Sequence, residues 1–333
     1  MRNNECLTFE EAMQQLEGKR ATLSSLVLYA LSAPSTEEIR VFRRQWPTWP
    51  VERRRQVITA LAENAEANFE LDFNALFRVT IDDEDEQVRT VSIEGLWEDE
   101  GVTLIPPLVH LLRKDKAAAS RAAAAASLGR FVLLGELEEL EERYSKLVHG
   151  ALLEALADHE EALDVRRRAV ESIAYWDEPC VHDIIAAAYQ EPAEPMRISA
   201  VFAMGRSADP AWSETVREEL HNHNPAMRYE AARACGELEA KAAVPDLVKL
   251  VSDSDREVQL AAVGALGQVG GEKAKRVLER CARSADEAMR LAAEDALAEL
   301  ELGRQPLNLL VLGLDDEPVD AEADEDEDME DED

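Results

Sequence analysis

Six histidines, His110, His149, His159, His182, His221 and His223, are the side chains best suited to metal or acid–base chemistry. A metal held between helices needs imidazoles and carboxylates that converge from several elements. Only His159-Glu160 is a His-Glu step, and His182-Asp183 is its nearest relative. His221 and His223 stand in an HNHN run that reads as a surface turn. Cys6, Cys180, Cys235 and Cys281 are far apart and form no C-x-x-C pair, which predicts reduced thiols rather than a zinc site or disulfides. No glycine-rich phosphate loop follows a strand pattern, and no Ser/His/Asp or Cys/His set announces itself. No catalytic residue, metal ligand or cofactor site is assigned. The candidates that remain are for recognition: Arg168, Glu171, Ser199, Phe202, Glu230, Arg233 and Asp295. Their claim rests on the elements that carry them.

Those elements repeat. V-Q-L-A-A-V-G-A-L-G at 258–267 matches M-R-Y-E-A-A-R-A-C-G at 227–236, M-R-I-S-A-V-F-A-M-G at 196–205 and M-R-L-A-A-E-D-A-L-A at 289–298. Weaker copies begin at 165, 120, 88 and 53. With the Arg or Gln of each copy as an anchor (54, 89, 121, 166, 197, 228, 259, 290), the last four steps are all 31 residues. Three positions after the anchor stand Ser92, Ala124, Ala169, Ala200, Ala231, Ala262 and Ala293, and six after it Gly95, Ser127, Ser172, Ala203, Ala234, Ala265 and Ala296. Residues three apart share a helix face, so each copy predicts a helix whose small face lets a neighbouring backbone come close. Asp85, Asn224, Asp255 and Asp286, four before their anchors, are predicted N-caps. Gly129, Gly205, Gly236 and Gly267, eight after, are predicted C-caps. A second apolar-periodic stretch lies between copies, with Pro107 and Pro245 each fourteen before an anchor. Each unit is thus a helical hairpin, and stacked hairpins share a continuous core.

The D-x-x-[VM]-R…A-x-x-A-[LM]-G pattern resembles the HEAT-repeat family, in its short, phycobilisome-lyase-type class, over about 50–302. The resemblance implies an all-α, right-handed solenoid of about eight repeats, with the repeat Asp and Arg holding turns together. It implies a concave face lined by the second helix of each hairpin. Positions two and five after the anchor are expected to point outward there. This gives Arg168, Ser199 and Glu230 from the first row, and Glu171, Phe202, Arg233 and Asp295 from the second, as candidate contacts for a protein or peptide partner. Deoxyhypusine hydroxylase is similar in scaffold and holds two irons with several His-Glu pairs; the symmetric set it needs is missing here.

Charge narrows the partner. The net charge is −34, and the fourteen acids of residues 315–333 leave −20 on the rest. Such a field repels nucleic acid and anionic lipid and favours a basic partner. Residues 21–33 are too short to span a bilayer, and no signal peptide opens the chain, so a soluble, cytoplasmic protein is expected. The expected domains are an N-terminal helical cap at 1–49, the solenoid at 50–302, a capping segment at 303–314 and a disordered acidic tail at 315–333. Trp46 and Trp49 in QWPTWP are expected to pack within the cap. The 45-residue step between anchors 121 and 166 predicts an insertion near 130–150, with 136–158 as one long acidic helix projecting beyond its neighbours. The leading function is a non-enzymatic scaffold for a protein partner. An acidic chaperone for basic proteins is the alternative, and a bilin-lyase-like or metal-dependent modifying enzyme stands behind it.

Overall fold

A computed structural model describes residues 7–17 and 23–304, and every regular element among them is helical. The first three helices are α1 (Phe9–Glu17), α2 (Ser25–Leu31) and α3 (Thr36–Gln45). From there the chain alternates between two rows. One row holds α5 (Asn74–Thr80), α7 (Ile105–Lys114), α9 (Glu142–Ala157), α11 (Pro179–Tyr189), α13 (Ser213–Glu219), α15 (Val244–Leu250) and α17 (Glu272–Cys281). The other holds the helices that carry the anchors: α4 (Val51–Ala67), α6 (Glu86–Gly95), α8 (Ala118–Glu136), α10 (Leu163–Ile173), α12 (Glu194–Arg206), α14 (Pro225–Glu237), α16 (Arg256–Val269) and α18 (Glu287–Arg304). Each repeat copy read in the sequence, including the weakest at α4, is therefore a second helix. One apolar core runs through the stack from Phe9 to Leu300.

The small-residue face does what its spacing requires. Ser92, Ala124, Ala169, Ala200, Ala231, Ala262 and Ala293 are all fully buried. The eighth-position glycines are not caps. Gly205, Gly236 and Gly267 lie inside α12, α14 and α16. A Cβ on Gly205, Gly236 or Gly267 would stand 2.8–3.0 Å from the Cα of Ala234, Ala265 or Ala296, the sixth position of the next repeat. The expected capping role is corrected to close helix approach. The caps come from elsewhere: Glu138, Ala208 and Glu239 take left-handed φ values of 59°, 51° and 47° just past the ends of α8, α12 and α14. The N-caps are as expected, with Asp85, Asn224, Asp255 and Asp286 accepting first-turn amides.

The anchor arginines form a ladder across the turns. Arg89 donates Nε and Nη2 to Asp115 of the next unit at 2.6 and 2.7 Å, and Nη1 to the Asp83 and Glu84 carbonyls of its own turn. Arg121 repeats this with Glu161, and Arg228 with Asp253. Arg54 reaches Asp83 at 2.6 Å, and Arg166 pairs with Glu191. Each rung ties one hairpin to the next, and Arg89, Arg121 and Arg228 also donate to carbonyls of their own turns.

Second helices make an unbroken backbone-to-backbone stack from α4 to α18, whereas first helices meet one another more sparingly. The second helices are therefore the more closely packed row. One further expectation changes, and one holds. Residues 136–158 are not one projecting helix: α8 ends at Glu136, the chain turns at Glu138, buried Leu140 pulls the turn inward, and α9 packs on α7, α8 and α10. The extra length is shared between α8 and α9. Trp46 and Trp49 are buried, their rings 5.5 Å apart, and Trp46 Nε1 donates to Asp83 at 2.6 Å. The expected seal at 303–314 and the tail at 315–333 lie outside the described residues, apart from the backbone of Gly303 and Arg304 at the end of α18.

Candidate partner-binding face

The sequence row falls into two patches and an outlier. In the first, Arg168 pairs with Glu171 at 2.6 Å on α10. Glu171 in turn accepts from Ser199 Oγ of α12 at 2.6 Å, and Ser199 Oγ accepts from Arg167 Nε at 3.0 Å. Ser199 was expected on the open surface and is instead buried. Its hydroxyl bridges the guanidinium and carboxylate of the preceding repeat, which draws it beneath the row. It is a strut and not a contact residue.

The second patch centres on Phe202 of α12. Arg206 and Arg233 stand over its ring at 5.3 and 5.6 Å from the centroid. Arg206 also lies over Tyr175, and Arg233 over Tyr229. Arg233 stands 3.6 Å from Glu230 and 3.7 Å from Glu237, and Arg206 is 3.4 Å from Glu237. Burial pushes the Glu230 and Glu237 carboxyls above the usual range, against the pull of these arginines. Glu230 Oε2 and Arg206 Nε, both buried, find no hydrogen-bond partner among the described residues. Beside the patch lies a hollow of about 450 Å³ floored by Leu260, Ala261 and Gly264 of α16. Gly264 is open here: a Cβ on it meets nothing within 4 Å. Asp295 stands exposed on α18, separated from Arg233 by the Gly264 repeat.

Tyr175, Arg206 and Glu237 were missed. They stand nine after their anchors, one helical turn beyond the chosen row, and the four-residue helix spacing could have found them. Trp97 and Phe69 were missed too; both close second helices and stay exposed.

The histidines scatter. His149 stacks on Trp176 at 4.0 Å, its Nε2 is buried without a partner, and burial lowers its pKa. His182 stacks on Trp212 and bonds Asp209 at 2.8 Å. His221 and His223 are exposed in the turn before α14, where His221 lies 3.4 Å from Asp246. Among the described residues no three His, Cys, Asp or Glu side chains form a group able to hold a metal.

The HEAT-repeat family, described as HEAT repeats, matches residues 213–298, from α13 into α18. Residues 213–298 belong to the HEAT-repeat family. The same anchor and Arg ladder continue back to α4, and the small buried face to α6. Comparison with curated proteins finds no match. Among solved structures, the complex of CpcE and CpcF of phycocyanin lyase from Nostoc sp. PCC7120 is similar at 18% identity and a TM-score of 0.49, covering 68% of this chain and 87% of that one. Human deoxyhypusine hydroxylase in complex with glycerol is similar at 18% identity and a TM-score of 0.35, covering 80% and 96%. A designed armadillo repeat protein is similar at 18% identity and a TM-score of 0.37, covering 59% and 99%. No helix among the described residues is long and apolar enough to cross a membrane.

Proposed function

We propose that this protein is a non-catalytic scaffold that holds a segment of another protein along the face formed by its second helices, the inner, concave one, within the cytoplasm. The observation that carries the reading is Phe202: a half-buried aromatic on the inner face, clasped by two guanidiniums and bordered by Tyr175 and Tyr229. Aromatic and arginine side chains dominate binding hot spots because they bring large contact area and several donors at small entropic cost. The hollow beside them offers an apolar floor with charged walls, a form that suits an extended peptide with one anchoring side chain. Acidic charge over the whole chain disfavours nucleic acid as the ligand. Residues 1–49 serve as the N-terminal cap of the scaffold.

The test is selection of peptides against the full chain, then hydrogen exchange of the complex. Protection should fall on α10, α12, α14 and α16. Phe202→Ala should weaken the selected peptides at least tenfold, the range of a hot-spot residue. Protection confined to the first-helix row, with Phe202→Ala indifferent, would refute the proposal.

A further inference from the structure

The inner face changes character toward the N-terminal end. There the second helices α4 and α6 enclose a separate hollow of about 530 Å³, lined by Thr59, Ala62, Glu63, Glu66, Val91, Glu94 and the rings of Phe69 and Trp97. Phe69 is 78% exposed and Trp97 46%, although aromatics make up only 5% of the chain. The two rings meet edge to face at 6.5 Å. A solvent-facing Trp–Phe pair with no structural duty is costly to expose and marks a recognition surface.

The pair is also held still. Arg130 of α8 donates to the Trp97 carbonyl at 3.2 Å and the Asp99 carbonyl at 3.0 Å. Arg78 forks onto Asp99 at 2.5 and 2.7 Å and also reaches Thr103. The turn bearing Phe69 is pinned by Asn68, whose side chain accepts from the Glu70 amide. Little order remains to be imposed when a ligand arrives. Charge then selects the ligand. Glu63, Glu66 and Glu94 line the hollow, and among the described residues none of them has an ion-pair partner, although ion pairs are common elsewhere along the stack. Arg168 acts on Glu94 only through space, because its guanidinium is bonded to Glu171 at 2.6 Å.

We infer that this hollow receives a lysine or arginine side chain from a basic segment of the bound protein. The cation lies on the Trp97 indole, and Glu63, Glu66 and Glu94 surround it. An indole face and three carboxylates without ion-pair partners both attract a cation and repel an acidic side chain. The inference rests on the reading of the concave face as a protein-binding surface, and names the chemistry of what binds at one end of it.

The test uses the full chain and fluorescence anisotropy of a labelled twelve-residue Lys-Ala repeat peptide. A Gln-Ala repeat and a Glu-Ala repeat are controls. Ionic strength is set near 0.15 M, so that attraction by distant acids is screened within about 8 Å. The Lys-Ala peptide should bind and the controls should not. Trp97→Ala should weaken binding at least fivefold, and Trp97→Phe should restore most of it. The Glu63→Gln, Glu66→Gln, Glu94→Gln triple variant should weaken it similarly and flatten the salt dependence. All these side chains are exposed, and unchanged helical melting curves will show that the variants fold. Failure of the Lys-Ala peptide to bind, or wild-type affinity in both Trp97→Ala and the triple variant, overturns the inference. If affinity instead falls with Phe202→Ala and Arg233→Ala, the hollow is wrong but the concave-face reading stands. If no inner-face substitution matters and exchange protection maps to the first helices, both fail.

Discussion

Replacing Gly205 with alanine tests the close approach that the HEAT stack depends on. A Cβ there would stand 2.8 Å from Ala234 Cα and 3.0 Å from Ala234 Cβ across the α12–α14 contact. Carbons in contact rest at about 3.5–4.0 Å, so the helices would have to part by ~1 Å. Overpacking of that kind costs about 1–3 kcal/mol. Alanine in a helix interior returns about 0.5–1 kcal/mol relative to glycine. The net is a loss of about 1 kcal/mol. Gly264 is the matched control: it is also helical, and its Cβ would meet nothing within 4 Å. Gly264→Ala should therefore stabilise by about 0.5–1 kcal/mol. Urea midpoints followed by helical circular dichroism will compare the two. If Gly205→Ala stabilises as much as Gly264→Ala, the contact is not tight and the reasoning fails.

Arg89→Ala removes the fork onto Asp115 and strands a buried carboxylate, and should cost about 2–4 kcal/mol in urea unfolding. Glu239→Gly relieves a left-handed residue at φ 47° and should stabilise by about 1 kcal/mol in the same assay. The ladder lapses where Gln259 and Ser284 stand in place of Arg and acid. Gln259→Arg with Ser284→Asp should restore it, with a favourable coupling of about 1 kcal/mol in a double-mutant cycle. Stability should also follow pH with a defined sign. The Arg228 fork is the largest influence holding Asp253 below its ordinary 3.8, and Arg256 holds Asp286 at about 2. Carboxylates lowered in the fold add stability above their unfolded value and lose it as pH falls through the folded one. Burial raises Glu230 and Glu237 above 4.5, so they act in the opposite sense as pH falls toward 4.5. Melting temperature should hold between about pH 7 and 5 and drop between about 4 and 2, and Asp253→Asn should flatten that acid limb.

The period, the buried alanines and the aspartate caps were legible because each is a local rule repeated in register. The glycines were misread because glycine serves two purposes. Eight residues after the anchor it could end a helix or admit a neighbour's backbone, and only the partner at Ala234 or Ala265 decides. The acidic run after α8 looked helical by composition. Glu138 nevertheless turns left-handed so that Leu140 can be buried, a tertiary gain that overrides local propensity. Ser199 was placed outward by position alone, and its bonds to Arg167 and Glu171 draw it under. The arginine rungs were only half visible: the anchor was read, and the acid six residues before the next anchor, as in Asp83, Asp115 and Asp253, was not. The exposed Trp97–Phe69 pair gave no sequence signal, because two residues 28 apart come together only once α4 and α6 stack.

Oxidative cross-linking between the second helices probes the stack itself. In a chain whose own four cysteines are alanine, Gly236→Cys and Ala265→Cys place Cβ atoms 3.3 Å apart, close to the ~3.5–4.5 Å that a disulfide needs. Near-complete disulfide formation is expected for this pair, and none for Gly236→Cys with Gly264→Cys. Equal cross-linking of both pairs, or none in either, would contradict the stacked-helix account.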